Sequence, residues 1–277
     1  MLRWSICMTK SLGRFRDDSA AVRDECVSFL RSEVSDTAAE GVVIGLRGDL
    51  DSTVAATLAV EALGPDRVYG LILPSSKIGS RSALDAEAIA EALGIDSETI
   101  HLQPLLMCVG DLAPVSTDLH ADPFVRDNLV ARLRMAMLYL AANATQRLVV
   151  GSTTRTELLL GSFVKHGDGA TDIHPLGGLY RTEVELLAAE LDVPSFVIES
   201  RPRVGVFPDR FGRHDPDIPF EAIDAVLCRL LEGDTDPESI STDLDADLDL
   251  ETVERICRHY RTTRDEQRLP TIGPGPE

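Results

Sequence analysis

At 277 residues, the chain is long enough to bury a full core within one domain, and its 44% of apolar residues excludes wholesale disorder. A net charge of −19, from 46 acidic and 27 basic residues, disfavours a nucleic-acid partner, because neutralising phosphates requires a basic surface. Widely spaced cysteines without a C-x-x-C pair argue against a disulfide framework and a zinc site. No apolar stretch is long enough to cross a membrane, so we expect a cytoplasmic protein.

The predicted elements of the first half alternate between helices and buried strands. A helix around residues 21–30 precedes the apolar strand 41–46, which ends in a polar turn at 47–52 and leads into a helix at 53–63. The order then recurs, with strands at 67–73, 99–102 and 147–151 and helices at 83–93 and 126–144. This alternation predicts an α/β fold with one doubly wound parallel sheet flanked by helices, and a ligand crevice at the carboxyl ends of the strands.

The second half is predicted to be helical with long connections. Helices are expected at 180–191, 220–231 and 250–259. An irregular loop is expected at 194–219, an acidic linker at 234–249 and a flexible tail at 271–277. Lysine occurs only at Lys10, Lys77 and Lys165. We interpret the acidic, lysine-poor composition as adaptation to a salty cytoplasm, where ions screen surface charge, with ordinary acidic solubility as the alternative.

The turn after the first strand is the first candidate site. Its sequence, G-L-R-G-D-L-D-S at residues 45–52, lacks the lysine and the spacing of a Walker P-loop. A strand, turn and helix in this order can present backbone N–H groups to an anion. The same residues also fit an ordinary turn with an Asp-Ser helix cap, and this segment alone favours neither interpretation.

Two further patterns carry chemistry. Residues 151–175 read G-S-T-T-R-T-E-L-L-L-G-S-F-V-K-H-G-D-G-A-T-D-I-H-P. Here Glu157 follows a strand end, where a carboxylate can hold Mg²⁺, and Lys165 offers a compact positive charge for a phosphate or a carboxylate. The third pattern, D-N-L-V-A-R-L-R-M at residues 127–135, lies on the predicted helix 126–144 and contains Arg132.

Taken together, the three patterns resemble the NAD synthase family of the ATP pyrophosphatases. The turn is similar to the pyrophosphate loop S-G-G-x-D-S of those enzymes, and residues 127–135 to N-x-x-A-R-x-R-M. Residues 151–175 are similar to G-T-x-x-x-x-E followed by G-x-F-T-K-Y-G-D-G-x-x-D-x-x-P. The resemblance implies an adenine nucleotide alpha-hydrolase-like fold in a single NAD synthase-like domain over residues 1–270.

The resemblance also implies an activity and a set of site residues. The expected reaction adenylates the nicotinate carboxylate of deamido-NAD with ATP and then amidates it with ammonia, without a covalent protein nucleophile. Mg²⁺ would bind Asp51 and Glu157. ATP would contact Gly45, Leu46, Arg47, Gly48, Asp49, Leu50, Asp51, Ser52, Ser152, Arg181 and Arg203. Deamido-NAD would contact Arg132, Lys165, Asp172, Glu266 and Gln267. With no room expected for a glutaminase domain, free ammonia is the expected nitrogen source, and a homodimer is the expected assembly.

Several positions depart from the family pattern. Arg47 and Asp49 replace the serine and the second glycine of the loop, Arg203 replaces a small hydroxyl residue, and Glu266-Gln267 replaces a His-Lys pair. Asp adopts a positive φ less easily than Gly, and its carboxylate would repel phosphates unless a cation intervenes. Arg47 would either neutralise Asp49 or bind phosphate directly. Two alternatives therefore stay open: a nucleotide-binding paralogue without turnover, and an ATP pyrophosphatase with another acceptor.

Overall fold

The computed structural model describes residues 19–75, 81–112, 122–198, 218–233, 236–244 and 248–263. In this part of the chain, a parallel sheet has the strand order β3-β2-β1-β4. Its strands are β1 (Gly41–Leu46), β2 (Val68–Ile72), β3 (Asp96–Thr99) and β4 (Arg147–Val150). The chain moves outward from β1 to β3 and then returns to place β4 on the other side of β1. This reversal creates a switch point between β1 and β4, where an open α/β sheet leaves a crevice for ligands.

Helices follow and cover the strands. The helices up to the segment after β4 are α1 (Ser19–Ser35), α2 (Leu50–Leu63), α3 (Arg81–Leu93), α4 (Gln103–Asp111), α5 (Pro123–Ala144) and α6 (Arg155–Leu160). The later helices are α7 (Arg181–Glu190), α8 (Ser195–Ile198), α9 (Phe220–Leu231), α10 (Pro237–Asp243) and α11 (Leu250–Thr262). None of the helices in the described ranges is long and apolar enough to span a membrane.

Alternate residues of β1 face two helical layers, because successive side chains of a strand point to opposite faces of a sheet. Val42, Ile44 and Leu46 pack among α1, α2, α3 and α7. Val43 packs on the other face, with apolar residues of α4 and α5. Burial on both faces explains why β1 is a continuous apolar run, as in other covered parallel sheets. The predicted doubly wound α/β fold is confirmed.

A third apolar cluster joins the later helices to the segment that follows β4. Ile223 of α9, Ile240 of α10 and Ile256 of α11 are buried together. Leu160, at the end of α6, and Tyr180, just before α7, belong to the same cluster. The later helices therefore rest on the two helices that follow β4, which becomes important for the site.

Three predicted elements differ from the structure. The strand predicted at 99–102 is wrong, because the edge strand β3 is the polar segment Asp96–Thr99, whose side chains need little burial. The predicted linker at 234–249 contains α10, which begins where Asp236 accepts a hydrogen bond from the Ser239 N–H and is anchored by buried Ile240. The predicted loop at 194–219 begins with α8. Most of that loop and the predicted tail lie outside the described residues.

Candidate active site

A cavity of about 190 Å³ opens at the carboxyl ends of β1, β2 and β4. The strand ends supply one wall, and α3 and α5 supply the others. Residues that line it include Leu46 and Arg47 after β1, Pro74 after β2, and Gly151 and Ser152 after β4. The sequence predicted ligand binding at these strand ends. Residues 76–80, which follow the end of β2 in the sequence, are outside the described part of the chain.

The turn between β1 and α2 is closed by an ion pair. The Nε atom of Arg47 lies 2.6 Å from Oδ2 of Asp49, and its Nη2 atom donates to Oγ of Ser152 at 3.3 Å. Oδ1 of Asp49 accepts a hydrogen bond from the Ser52 N–H at 3.0 Å, so Asp49 is the N-cap of α2. Burial opposes ionisation of Asp49, but Arg47 and Ser52 outweigh it and hold the pKa of Asp49 below its usual value. The Asp49 carboxylate thus occupies two donors, the Arg47 guanidinium and the Ser52 N–H, that are also suited to an external anion.

The positive φ of this turn falls on Gly48. Its φ is 73°, whereas Asp49 has an extended backbone with a φ of −106°. A Cβ on Gly48 would lie 2.4 Å from the carbonyl oxygen of Ser82, so only glycine fits against α3. Asp49 therefore does not need a positive φ, because the turn places this conformation one residue earlier, at Gly48.

Asp51 and Arg181 form the most buried ion pair of the site. Asp51 is 7% exposed and Arg181 is 5% exposed. Nη1 of Arg181 donates a hydrogen bond to Oδ1 of Asp51. Burial raises the pKa of Asp51 to about 6, although Arg181 opposes this shift. The pair connects the first turn of α2, which follows β1, to the first residue of α7.

Glu157 supplies a second carboxylate beside β4. It closes a capping box at the start of α6, in which its Oε2 accepts from the Thr154 N–H at 2.8 Å and Thr154 Oγ1 accepts from the Glu157 N–H at 3.3 Å. Withdrawal from solvent raises the pKa of Glu157 to about 7, and the charge of Asp51 adds to this shift. The capping box therefore holds the Glu157 side chain in one orientation near Asp51.

Asp51 and Glu157 are suited to bind a divalent cation whose other oxygens come from a bound nucleotide. Mg²⁺ in nucleotide sites takes one or two carboxylates and completes its six oxygens with phosphates and water. The described residues contain no cluster of three or more metal-ligating side chains, so Asp51 and Glu157 would need such additional oxygens. Their raised pKa values reflect unfavourable negative charge that a bound cation would relieve.

The residues predicted to bind the dinucleotide are only partly brought together. Nε of Arg132 donates to the carbonyl oxygen of Lys165 at 3.3 Å, so the Arg132 side chain contacts the backbone of Lys165. Asp172 instead accepts from Tyr139 Oη at 2.9 Å and from the Val149 N–H at 2.8 Å, so its carboxylate also anchors β4. Arg203, Glu266 and Gln267 lie outside the described residues.

Arg134 lines the cavity but was not among the predicted site residues. Its Nε donates to the carbonyl oxygen of Leu73, at the end of β2, at 3.0 Å. Burial, with Arg47 nearby, lowers the pKa of Arg134. Arg134 lies in the same motif as Arg132, two positions later. Side chains two positions apart point about 200° away from each other around a helix axis. The sequence did not show which of the two arginines faces the sheet.

Comparison with known proteins gives consistent matches over most of the chain. The model of the NAD synthase family matches residues 22–270. An NH(3)-dependent NAD(+) synthetase from Methanosarcina mazei is 37% identical over 258 residues, covering 92% of this chain and 98% of the relative. An NH(3)-dependent NAD(+) synthetase from Halobacterium salinarum is 32% identical over 248 residues, covering 90% of this chain and 91% of the relative.

Solved structures share the fold. The NMN synthetase from Francisella tularensis has a TM-score of 0.74 at 30% identity, and the match covers 91% of this chain and 97% of that one. The NH3-dependent NAD synthetase from Campylobacter jejuni, in complex with the nitrate ion, has a TM-score of 0.75 at 24% identity and covers 92% and 98%.

Proposed function

Because the chain belongs to the NAD synthase family, we propose that it forms NAD(+) from deamido-NAD, ATP and ammonia, as an ATP-dependent ligase that makes a C–N bond. The observation that carries the proposal is the convergence of Arg47, Asp51, Arg181 and Glu157 at the carboxyl ends of β1 and β4. Cations and a carboxylate pair are gathered where ATP phosphates would have to be held.

The reaction asks the protein to position reactants and to stabilise charge. A carboxylate oxygen of nicotinate attacks the α-phosphorus of ATP and pyrophosphate leaves, after which ammonia attacks the acyl carbon and AMP leaves. Mg²⁺ held by Asp51 and Glu157 would neutralise charge on the departing pyrophosphate. Arg47 and the backbone of residues 45–52 would bind that pyrophosphate, and the cavity would keep water from the adenylate. No protein side chain becomes covalently modified.

The remaining site residues divide between the two substrates. We assign Ser152, Arg181 and Arg203 to ATP, as the resemblance to the family implies. Arg132 and Lys165 would bind the phosphates of deamido-NAD, since both carry a positive charge and the Arg132 side chain contacts the backbone of Lys165. Asp172, Glu266 and Gln267 complete the proposed dinucleotide contacts.

The decisive experiment is synthesis of NAD and AMP from deamido-NAD, ATP, Mg²⁺ and ammonia at high potassium chloride. NAD and AMP should form in equal amounts. ATP binding without NAD formation would instead support a paralogue that has lost turnover, and AMP release with another acceptor would support a different ATP pyrophosphatase.

A second candidate acceptor is nicotinate mononucleotide. The 30% identity to a protein named NMN synthetase, over nearly the full length of both chains, favours including it. The same assay with nicotinate mononucleotide in place of deamido-NAD distinguishes the two acceptors by their kcat/KM values.

Replacing Asp49 by Asn is expected to tighten pyrophosphate binding about five- to tenfold. A like charge about 4 Å from a phosphate costs about 1 kcal/mol even in water, and Asn removes it. Asn keeps an acceptor for the Ser52 N–H, so α2 stays capped. Calorimetric titration with magnesium pyrophosphate measures the change. Weaker binding by the Asn variant would instead mean that the Asp49 carboxylate belongs to the bound state.

We also propose a homodimer that forms through α4 and α5. Six of the twelve large apolar side chains that are exposed in the described structure lie on or beside these two helices: Leu105, Met107, Leu112, Phe124, Val125 and Leu140. A concentration of this kind marks an interaction surface. Leu140→Glu is expected to halve the mass measured by light scattering, whereas Leu84→Glu, at an exposed position on α3, should leave it unchanged. A monomeric wild-type protein at high salt would contradict the proposal.

A further inference from the structure

Asp224 in α9 is a buried carboxylate that the proposed reaction does not use. It is 2% exposed. Its Oδ1 accepts from Thr156 Oγ1 at 2.5 Å, and its Oδ2 accepts from the Thr182 N–H at 3.0 Å and from Thr182 Oγ1 at 2.9 Å. None of the described cations forms an ion pair with it. Burying a carboxylate without a cation is unfavourable, so the three hydrogen bonds must offset the cost of burying Asp224.

These bonds also help to hold the first turn of α7. The first turn of a helix leaves backbone N–H groups without intrahelical partners. In α7, the Arg181 N–H donates to Thr156 Oγ1 at 2.9 Å and the Thr182 N–H donates to Asp224. The start of α7 is therefore held by side chains of α6 and α9. The guanidinium of Arg181, which pairs with Asp51, starts from a backbone position that Thr156 and Asp224 define.

The same hydrogen bonds hold the helix that carries Glu157. Thr156 immediately precedes Glu157, and its hydroxyl accepts from the Arg181 N–H while it donates to Asp224. α9 makes a second contact, because the ring centroid of Phe220 lies 5.3 Å from the Arg181 guanidinium. One buried carboxylate thus links the helix of Glu157 to the helix of Arg181.

We propose that Asp224 is a positioning residue for the reaction, which fixes Glu157 and Arg181 relative to each other and to Asp51 without touching substrate. The proposal rests on the proposed function, since it requires ATP and Mg²⁺ at these residues. A purely structural role, in which Asp224 only fastens α9 to the domain, would change stability but not the use of Mg²⁺.

Asp224→Asn tests the proposal. Asn has one acceptor oxygen where Asp has two, so the bond to Thr156 or the bonds to Thr182 are lost. Loss of groups that orient metal ligands typically costs about 10- to 100-fold in metal affinity or activity. We expect kcat to fall, and the Mg²⁺ concentration for half-maximal activity to rise, by about 10- to 100-fold each. The KM for deamido-NAD should stay within about twofold, since its proposed contacts are elsewhere.

A second pair of variants covers the case in which Asp224→Asn does not fold. Thr156→Val keeps the shape of the side chain but removes the hydroxyl, whereas Thr156→Ser keeps the hydroxyl. The Val variant should show the same rise in Mg²⁺ requirement, and the Ser variant should restore values close to wild type. Equal behaviour of the two variants would overturn the proposal.

Asp249→Ala, which removes a helix cap, is the control for a purely structural effect. Asp249 caps α11 by accepting from the Thr252 N–H at 2.8 Å, and α11 packs in the same apolar cluster as α9. The control should lower thermal stability and leave kcat and the Mg²⁺ requirement unchanged. If Asp224→Asn behaves like this control, Asp224 is only structural.

Calorimetric titration with ATP, with and without Mg²⁺, separates this proposal from the proposed function. If wild type binds ATP with a Mg²⁺-dependent affinity but forms no NAD, the synthase proposal fails, and the titration still decides the role of Asp224. In Asp224→Asn the Mg²⁺-dependent gain in ATP affinity should shrink about 10- to 100-fold. An unchanged gain would overturn the positioning role.

Discussion

Replacing Glu157 by Gln is expected to lower kcat for NAD formation at least about 100-fold, which corresponds to about 2.7 kcal/mol of lost transition-state stabilisation. Gln keeps an oxygen that can accept from the Thr154 N–H, so the capping box and α6 should persist. What the variant loses is the negative charge beside Asp51 that would hold Mg²⁺. Steady-state NAD formation across a range of Mg²⁺ concentrations measures the effect.

Glu183→Gln is the matched control for that prediction. Glu183 closes the corresponding capping box at the start of α7, where its Oε2 accepts from the Tyr180 N–H at 2.8 Å. Both substitutions remove one negative charge from the first turn of a helix, but only Glu157 lies beside Asp51. The control should retain kcat within about threefold, in line with a small helix-dipole effect. Equal losses in the two variants would remove Glu157 from the metal site.

Replacing Arg181 by Met is expected to lower the free energy of unfolding by about 3–5 kcal/mol at neutral pH, because it leaves a buried carboxylate without its partner. Asp51 loses the guanidinium that opposes the rise of its pKa. Urea denaturation followed by circular dichroism measures the loss. A loss below about 1 kcal/mol, typical of an exposed ion pair, would contradict the burial of this pair.

The double variant Arg181→Met with Asp51→Asn should recover much of that stability, because the unpaired charge is then absent. A double-mutant cycle gives the interaction energy between Arg181 and Asp51 directly.

The pH dependence of stability provides a second check on the single variant Arg181→Met. The folded pKa of Asp51, already about 6 in wild type against 3.8 for a free Asp, should rise further without Arg181. Protonation of Asp51 then stabilises the variant fully below the unfolded pKa, and this stability is lost as pH rises through the folded pKa. The deficit relative to wild type should therefore be smaller at pH 5 than at pH 8.

Local patterns in the sequence were sufficient for the sheet and for the approximate place of the site. The apolar run of β1 indicates a strand buried on both faces, and its following turn indicates an anion site at a strand end. Glu157 could be named because it lies in a long motif of residues close in the chain. The edge strand β3 was misplaced because its polar residues carry no burial pattern.

The sequence by itself thus determined the α/β class and the family resemblance. It also determined the loop proposed to bind phosphate and the carboxylates proposed to bind metal, since these depend on residues close together in the chain. Only the tertiary structure decided how the charges are paired. Arg47 meets Ser152 across 105 positions, Arg181 meets Asp51 across 130, and Thr156 meets Asp224 across 68. Residues this distant come together only when the helices pack on the sheet, so no local pattern announces the Asp224 hydrogen bonds. The same packing turned Arg134 toward the cavity.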